Sequence, residues 1–219
     1  MGSYPQFLYG GRDTIRELMK KIVTVLKWTA VILAAAFSLL VIIRIPHVIE
    51  VSKTGDVVAK IHATKLTLDD VMGKNLPPDP GAEADKTVAG IDENNNGIRD
   101  DVELAIFKEY PNSAKTRAAL LQYALVLQME AMQSILNGEV VGEIANREDR
   151  AFFCVAKLIP GGGEGAAYAA METYRKFLFD RQFNTDARKK ANKDFYSNLK
   201  SGRIDDSDGC DIDPTSLLN

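Results

Sequence analysis

The sequence contains few of the residues that usually bind transition metals or perform nucleophilic catalysis. In 219 residues it has two cysteines, two histidines and one tryptophan. Two cysteines and two distant histidines are too few for a structural zinc site. His47 and His62 have no recognisable nucleophile motif beside them, so the sequence favours a protein that is not an enzyme.

One long apolar run stands out from a composition that is otherwise ordinary for a globular protein. It extends from Ile22 to Ile43, and a helix of this length spans roughly 33 Å, which matches a hydrocarbon core about 30 Å thick. Lys27, its only charge, lies near the start, where the ammonium group can reach the headgroups. A cleaved signal peptide is the alternative, but the only Ala-x-Ala pattern, at residues 34–36, lies inside the run. The sequence therefore predicts an uncleaved transmembrane anchor over residues 22–43.

The distribution of basic residues predicts the orientation of this anchor. Five lysine or arginine residues lie before it or at its start, and two follow soon after it. By the positive-inside rule, residues 1–21 are cytoplasmic, and the chain from about residue 45 lies in the periplasm of a bacterium, behind a single inner-membrane span. This exported part has 21 basic and 28 acidic residues, a formal charge of −7, which argues against nucleic acid as a partner. Met19, which Lys20 and Lys21 follow, is an alternative start, and the sequence leaves that choice open.

Both cysteines lie on the predicted exported side. An oxidising compartment allows Cys154 and Cys210 to pair, and two cysteines have a single possible connectivity. The sequence therefore predicts a disulfide between them, with two free buried thiols as the alternative. In the chain-entropy model, a bridge across this separation stabilises the fold by roughly 4 kcal/mol.

The rest of the chain divides into a linker and a helical domain. Residues 44–90 are assigned to a juxtamembrane segment and a proline-rich linker, in which KNLPPDPG is predicted to be extended or irregular. Residues 48–63 are compatible with a hairpin or with an extension of the anchor helix, and LTLDDVMG predicts a short helix that ends at Gly73. Residues 91–219 are predicted to be a small domain of about five helices, which gives an all-α fold behind the anchor.

Hydrophobic periodicity and capping residues place these five helices. The first is predicted from Asp100 to Tyr110, and the second begins after Ser113 or the preceding asparagine and ends near Asn137. The second helix carries an apolar stripe at intervals of three and four residues and is predicted to be the core. The stripe consists of Leu121, Leu125, Met129, Met132 and Leu136. The other three helices are predicted from Asn146 to before Pro160, from Ala166 to Phe179, and from Thr185 onward.

Oxygen-bearing side chains alternate in the stretch GIDENNNGIRDDVE, residues 90–103. Calcium requires six to eight oxygen ligands, which a twelve-residue loop supplies from positions 1, 3, 5, 7, 9 and 12. A loop that starts at Asp92 meets this pattern, with Gly97 at the turn and the backbone carbonyl of Ile98 at position 7. The six candidate ligands are Asp92, Asn94, Asn96, Ile98, Asp100 and Glu103.

This stretch resembles the EF-hand loop and, more closely, the calcium loops of thrombospondin type 3 repeats and dockerins, because Ile98 and Asp100 match their Gly-Ile-x-Asp segment. The resemblance covers residues 92–103 and implies that the six matching positions bind one calcium ion. Two features depart from an EF-hand, since Arg99 occupies a position that is usually hydrophobic and the preceding segment is a poor entering helix. Three formal negative charges predict a modest affinity, on the order of 10⁻⁴ to 10⁻³ M, as in extracellular modules.

A capping box is the alternative interpretation of the same residues. Asp100 as N-cap with Glu103 three residues later would start a helix without any metal, and asparagines beside a glycine make an ordinary turn. Capping does not explain Asp92, Asn94 and Asn96 at alternate positions. The sequence therefore favours a calcium ion with a structural role.

The sequence predicts a membrane-anchored periplasmic module that binds another envelope protein or assists an envelope system. The whole layout resembles uncharacterised membrane-anchored envelope proteins of Gram-negative bacteria. The alternative is a cell-envelope hydrolase, which would need two carboxylates brought together in a cleft from scattered residues such as Glu130, Glu143 and Glu172.

Overall fold

The computed structural model of the protein describes residues 10–133, 137–159, 164–200 and 209–217. All regular secondary structure in these ranges is helical, with seven α-helices and two 3₁₀ turns, which confirms the predicted all-α class. The chain forms two compact units, Met1–Lys53 and Thr54–Asn219.

Helix α1 spans Gly10–Ala63 and contains the whole apolar run. Its part from Thr14 onward is the one helix, among the described residues, that is long and apolar enough to cross a membrane. A signal sequence meets the same criterion, so the uncleaved anchor stays a prediction. The helix continues through Pro46, and residues 48–63 therefore extend the anchor helix and do not form a hairpin.

Hydroxyl groups inside the apolar run find partners within the helix itself. Thr24, Thr29 and Ser38 each donate a hydrogen bond to a backbone carbonyl one turn earlier. The large apolar side chains around them are exposed along this part of α1. A helix that lies in hydrocarbon must satisfy its polar groups internally in this way, so the local geometry suits a membrane span.

Six further helices follow in the second unit. Helix α2 is Leu68–Met72, α3 is Asp100–Glu109 and α4 is Ala114–Met132. Helix α5 is Gly138–Ala156, α6 is Glu164–Gln182 and α7 is Asp186–Ser197. The 3₁₀ turns are Gly81–Asp85 in the linker and Pro214–Ser216 near the carboxyl terminus. The core also includes Ile61, Leu66 and Val71, so residues assigned by sequence to the juxtamembrane segment pack as part of the helical domain.

Helix α4 is the centre of the domain and is covered on all sides. Ser113 caps its first turn, and residues 117–131 are all buried. The predicted stripe therefore describes only part of its buried surface: Leu121, Leu125 and Met129 are buried, Met132 is 46% exposed, and Leu136 lies outside the described residues. Alanines on the flanks let neighbouring helices approach α4 from several directions, which a one-sided pattern does not predict.

Helix α5 begins at Gly138, about two turns before the predicted start after Asn146. Asn137 is the true N-cap, because its side-chain oxygen accepts a hydrogen bond from the backbone N–H of Val140. Glycines in the first two turns lower the intrinsic helix propensity by about 1 kcal/mol each. Burial of Val140, Val141 and Ile144 against the core overrides that local preference.

Buried arginines donate hydrogen bonds to the backbone carbonyls of irregular segments and so fix these segments to the helices. Arg188 donates to the carbonyls of Ala84, Thr87 and Val88, so the proline-rich linker, which includes a 3₁₀ turn, packs against α7. Arg147 donates in the same way to the end of α1, at Ile61 and at the third residue beyond it. Each guanidinium group thereby satisfies carbonyls that no helix or strand pairs.

The predicted disulfide is present and fixes the carboxyl-terminal segment to α5. Cys154 and Cys210 are bonded, with their Cα atoms 5.3 Å apart. Gln122 of α4 donates to the carbonyl of Gly209 and accepts from the backbone N–H of Asp211. The Asp211 carboxylate in turn accepts from the backbone N–H of Leu66. The tail is therefore part of the helical domain.

Candidate functional site

Hydrogen bonds to side-chain oxygens fold residues 92–98 into a closed loop. The two carboxylate oxygens of Asp92 accept from the backbone N–H groups of Asn96 and Gly97, at 3.1 and 3.0 Å. Asn94 and Asn96 each accept from the N–H group two residues later. The three side chains that the sequence sets at alternate positions are thus turned toward the inside of one tight loop.

Two residues of this loop have left-handed backbone conformations. The φ angle is 56° at Asn95 and 86° at Gly97. Asparagine and glycine are the residues that adopt this conformation most readily. A side chain at Gly97 would also place its Cβ 2.7 Å from Cδ1 of Leu125 on α4. The glycine is therefore required by its backbone conformation and by the close approach of α4.

Asp100 and Glu103 do not form the capping box that the sequence allows. The N-cap of α3 is Arg99, and no side chain caps this helix end. Instead, the Asp100 carboxylate accepts from the backbone N–H of Glu93, across the loop, at 3.1 and 3.2 Å. The Glu103 carboxylate accepts from Nδ2 of Asn94 at 3.1 Å. Both acids are thus directed at the loop, so the choice lies between a metal site and a hydrogen-bonded turn of the same residues.

The three carboxylates at the loop have no cationic partner among the described residues. Glu103 is 1% exposed, and burial raises its pKa to about 7, with a further contribution from the charges of Asp70 and Asp100. Burial also raises the pKa values of Asp92 and Asp100 above their ordinary range. No lysine or arginine forms an ion pair with Asp92, Asp100 or Glu103 in the ranges that the structure describes. A bound cation would remove this electrostatic cost.

Arg99, the departure from the EF-hand pattern, connects the loop to α6. Its buried guanidinium group forms an ion pair with Asp101 and donates to the carbonyls of Arg181 and Gln182 at the end of α6. The carboxyl end of a helix carries partial negative charge and unpaired carbonyls, so an arginine is suited to this position. A hydrophobic residue there would leave those carbonyls without this donor.

The amide groups of the loop provide the test of fit to a cation. Asn94 currently directs its nitrogen at Glu103, and the Asn96 Nδ2 atom is buried without a hydrogen-bond partner. Their Oδ1 atoms accept from the backbone N–H groups of Asn96 and Ile98, and the second lone pair of each amide oxygen can still face a cation. No cluster of three or more His, Cys, Asp or Glu side chains is arranged to hold a metal in the described part of the chain. The three carboxylates and two amides directed at the loop are oxygen ligands of the types that calcium accepts.

A second acidic site, which the sequence analysis missed, lies between α4, α5 and α7. Of the three glutamates considered for a hydrolase, Glu143 contacts His62 at 2.9 Å and Glu172 pairs with Arg175, so they do not converge. Glu130 instead lies within hydrogen-bonding reach of Glu148. Placing the start of α5 at Asn146 hid this residue, because it then belonged to a first turn instead of the middle of a buried helix.

An open groove of roughly 390 Å³ lies beside the loop, between the end of α1 and the last turns of α4. Most of its lining is apolar, including Ile61, Leu125 and Met129. Its charged lining residues are Lys60 and Asp92. The Glu130–Glu148 pair does not open onto this groove, so the groove lacks the paired carboxylates of a glycoside hydrolase.

Comparison with protein-family models, with curated proteins and with solved structures gave no match to this chain. The geometry of the loop and of the acidic pair therefore carries the functional inference.

Proposed function

We propose that residues 92–103 bind one calcium ion that stabilises the helical domain of a membrane-anchored, exported protein. One observation carries this proposal. Asp92, Asp100 and Glu103 are turned toward a single loop, two of them are fully buried, and no basic side chain neutralises them in the described residues. The alternating Asn94 and Asn96 supply amide oxygens at the remaining positions.

The ion would connect segments that local structure leaves loosely joined. The loop lies between the irregular linker and α3, and its Arg99 is bound to the end of α6. Asn94 also donates to the carbonyl of Asn75 in the linker. A cation held by Asp92 and Glu103 would therefore fix the linker, α3 and α6 in one arrangement, which is a structural and not a catalytic role.

The proposed location supplies both the ion and the disulfide. Helix α1 is long and apolar enough to cross a membrane, and the Cys154–Cys210 bond is typical of proteins outside the reducing cytosol. Sites with a dissociation constant on the order of 10⁻⁴ to 10⁻³ M are occupied in extracellular fluids and empty in cytosol. We therefore assign the amino terminus to the cytoplasm and the domain to the bacterial periplasm.

We further propose that the domain acts by binding another envelope protein. The groove lined by Ile61, Leu125 and Met129 is an apolar surface, and the exposed Met132 at its edge can adapt to a partner. A hydrolase would need two carboxylates at an open cleft. The buried Glu130 lacks that access, so the binding module is the better supported function.

Calcium-dependent unfolding of the full chain in mild detergent tests the calcium site. With a dissociation constant of about 10⁻⁴ to 10⁻³ M, about 10 mM calcium should stabilise the domain by about 1.4 to 2.7 kcal/mol relative to chelator. Glu103→Gln should remove most of this gain, because it deletes the charge that binds with both oxygens. Glu109→Gln, on the exposed end of the same helix, is the matched control and should keep the full gain.

Isothermal calorimetry on the same proteins gives an independent readout. The wild type and Glu109→Gln should bind one calcium ion per chain, and Glu103→Gln should bind at least tenfold more weakly. If the wild type shows neither heat of binding nor stabilisation at millimolar calcium, the loop is a hydrogen-bonded turn and the proposal is wrong.

A further inference from the structure

The acidic pair at the α4–α5–α7 junction has an almost complete set of hydrogen-bond donors. Glu148 of α5 accepts from the hydroxyl of Tyr196 on α7 at 2.7 Å and from the hydroxyl of Tyr123 on α4 at 3.4 Å. Glu130 of α4 accepts through Oε2 from the amide nitrogen of Asn192 on α7 at 3.0 Å. Three helices thus meet at two carboxyl groups.

One oxygen of this pair has no donor. Glu130 is 1% exposed, and its Oε1 atom is buried without a hydrogen-bond partner among the described residues. The side chain of Glu148 is a hydrogen-bonding neighbour of the Glu130 side chain, whose other oxygen, Oε2, already accepts from Asn192. Two ionised carboxylates in this position would repel each other and would leave Oε1 desolvated and unpaired. A hydrogen atom on Oε1 would turn the same contact into a hydrogen bond.

The surrounding charges do not neutralise the pair. Asp149, next to Glu148 on α5, adds negative charge, and Arg175 of α6, which interacts with Tyr123, is paired with Glu172. No lysine or arginine forms an ion pair with Glu130 or Glu148 in the described ranges.

Burial raises the pKa of Glu130 well above its ordinary value, and the charge of Glu148 raises it further. Burial also raises the pKa of Glu148, and it raises the pKa values of Tyr123 and Tyr196, so both phenols stay protonated and remain donors.

We propose that Glu130 is a neutral carboxylic acid in the folded protein at neutral pH, and that its Oε1–H group donates to Glu148 and thereby holds α4, α5 and α7 together. Every oxygen of the pair then has a role, since Oε2 of Glu130 accepts from Asn192 and the two oxygens of Glu148 accept from the tyrosines. The domain therefore carries a proton-dependent lock, independent of the proposed calcium loop.

The lock makes stability depend on pH with a defined sign. The unfolded chain loses this proton near pH 4.3, the ordinary glutamate value, whereas the folded chain retains it to a higher pH. The stabilisation is complete below about pH 4.3 and declines as the pH rises toward the folded pKa. Across that window the folding equilibrium constant should fall about tenfold per pH unit for this one proton. Alkaline conditions would loosen the junction.

Glu130→Gln removes the titrating proton but can keep the hydrogen bonds of the side chain. The glutamine amide can donate to Glu148 and accept from Asn192, but it does not titrate. Urea unfolding of the full chain in mild detergent, followed by near-ultraviolet circular dichroism from about pH 5 to 9, compares it with the wild type. The folding constant of the wild type should fall relative to that of the variant by about tenfold per pH unit up to the folded pKa. The control Glu139→Gln, exposed on α5, should follow the wild type.

Equal pH dependence in the wild type and Glu130→Gln would overturn the proposal. A Glu103→Gln protein, with Glu130 intact, that gains stability with rising pH and loses this gain on chelation would also overturn it, because a metal cation would then bridge the pair.

Difference infrared spectroscopy covers the case in which Glu130→Gln does not fold. In the Glu103→Gln protein at pH 7, the carbonyl band of a protonated carboxylic acid should be present and should disappear at alkaline pH. The absence of this band at neutral pH would also overturn the proposal.

Discussion

The proposed calcium loop and the Glu130–Glu148 junction are both acidic sites without an ion-paired basic side chain among the described residues, yet they are built differently. In the loop, Asp92, Asn94 and Asn96 lie at alternate positions and accept from backbone N–H groups that follow them, so several oxygens are gathered in one turn. At the junction, two carboxyl groups lie on rigid helices and face phenol and amide donors, which leaves space for one proton. This difference in geometry is why we propose a cation for the loop and a proton for the junction.

The buried arginines explain why neither site is neutralised from within the domain. Arg99, Arg117, Arg147 and Arg188 all direct guanidinium N–H groups at backbone carbonyls of loops and helix ends. Where these arginines meet a carboxylate, it is a different one, such as Asp85 or Asp101. On the two proposals made above, both acidic sites obtain their positive charge from the medium.

Removal of the disulfide should lower the stability of the domain more than any other change, and it should affect the junction more than the loop. Cys154 lies on α5, the helix that also carries Glu148, and the bridge fixes the tail to it. The double variant Cys154→Ala/Cys210→Ala should lose about 4 kcal/mol of stability in urea unfolding. Hydrogen exchange should show a larger loss of protection in α5 than in residues 92–103. A loss below about 1 kcal/mol would mean that the bridge constrains the unfolded chain little.

Replacement of Arg99, which connects the loop to α6, should lower the stability by less than removal of the disulfide. Arg99→Met leaves Asp101 and the carbonyls of Arg181 and Gln182 without their buried donor, which should cost about 2 to 3 kcal/mol in urea unfolding. Lys108→Met, at an exposed position near the end of α3, is the control and should change stability by less than about 0.5 kcal/mol. Equal effects of the two substitutions would show that the link to α6 contributes nothing.

Removal of a single tyrosine hydroxyl at the junction should have the smallest effect on stability. The hydroxyl of Tyr196 is 2.7 Å from Glu148 and that of Tyr123 is 3.4 Å away, so the first hydrogen bond is the stronger. Tyr196→Phe should cost about 1 kcal/mol in urea unfolding, and Tyr123→Phe should cost less. The reverse order would show that the distances do not rank the two donors.

Features with local signals were predictable from the sequence. Gly73 and Thr185 mark helix ends, and the structure uses them as the C-cap of α2 and the N-cap of α7. The apolar length of α1 and the pairing of two cysteines also need no tertiary information. The alternation of Asp92, Asn94 and Asn96 indicated a loop, and hydrogen bonding within residues 92–98 agrees with that pattern.

Features that depend on contacts between distant segments could not be predicted. Asn137 was interpreted as the end of α4, and only burial of the turn that follows it reveals that it caps α5. Glu148 was missed for the same reason, so the acidic junction had no partner for Glu130. The role of Arg99 is also non-local, because its acceptors lie more than 80 residues away on α6.

Unfolding measured against both calcium and pH, in the wild type, Glu103→Gln and Glu130→Gln, tests most directly whether two different external charges neutralise the two sites. Glu103→Gln should lose the calcium-dependent gain and keep the fall in stability with rising pH. Glu130→Gln should keep the calcium gain and lose its share of the pH dependence. If one substitution abolishes both responses, or if neither changes either response, the two sites are not neutralised by separate charges from the medium.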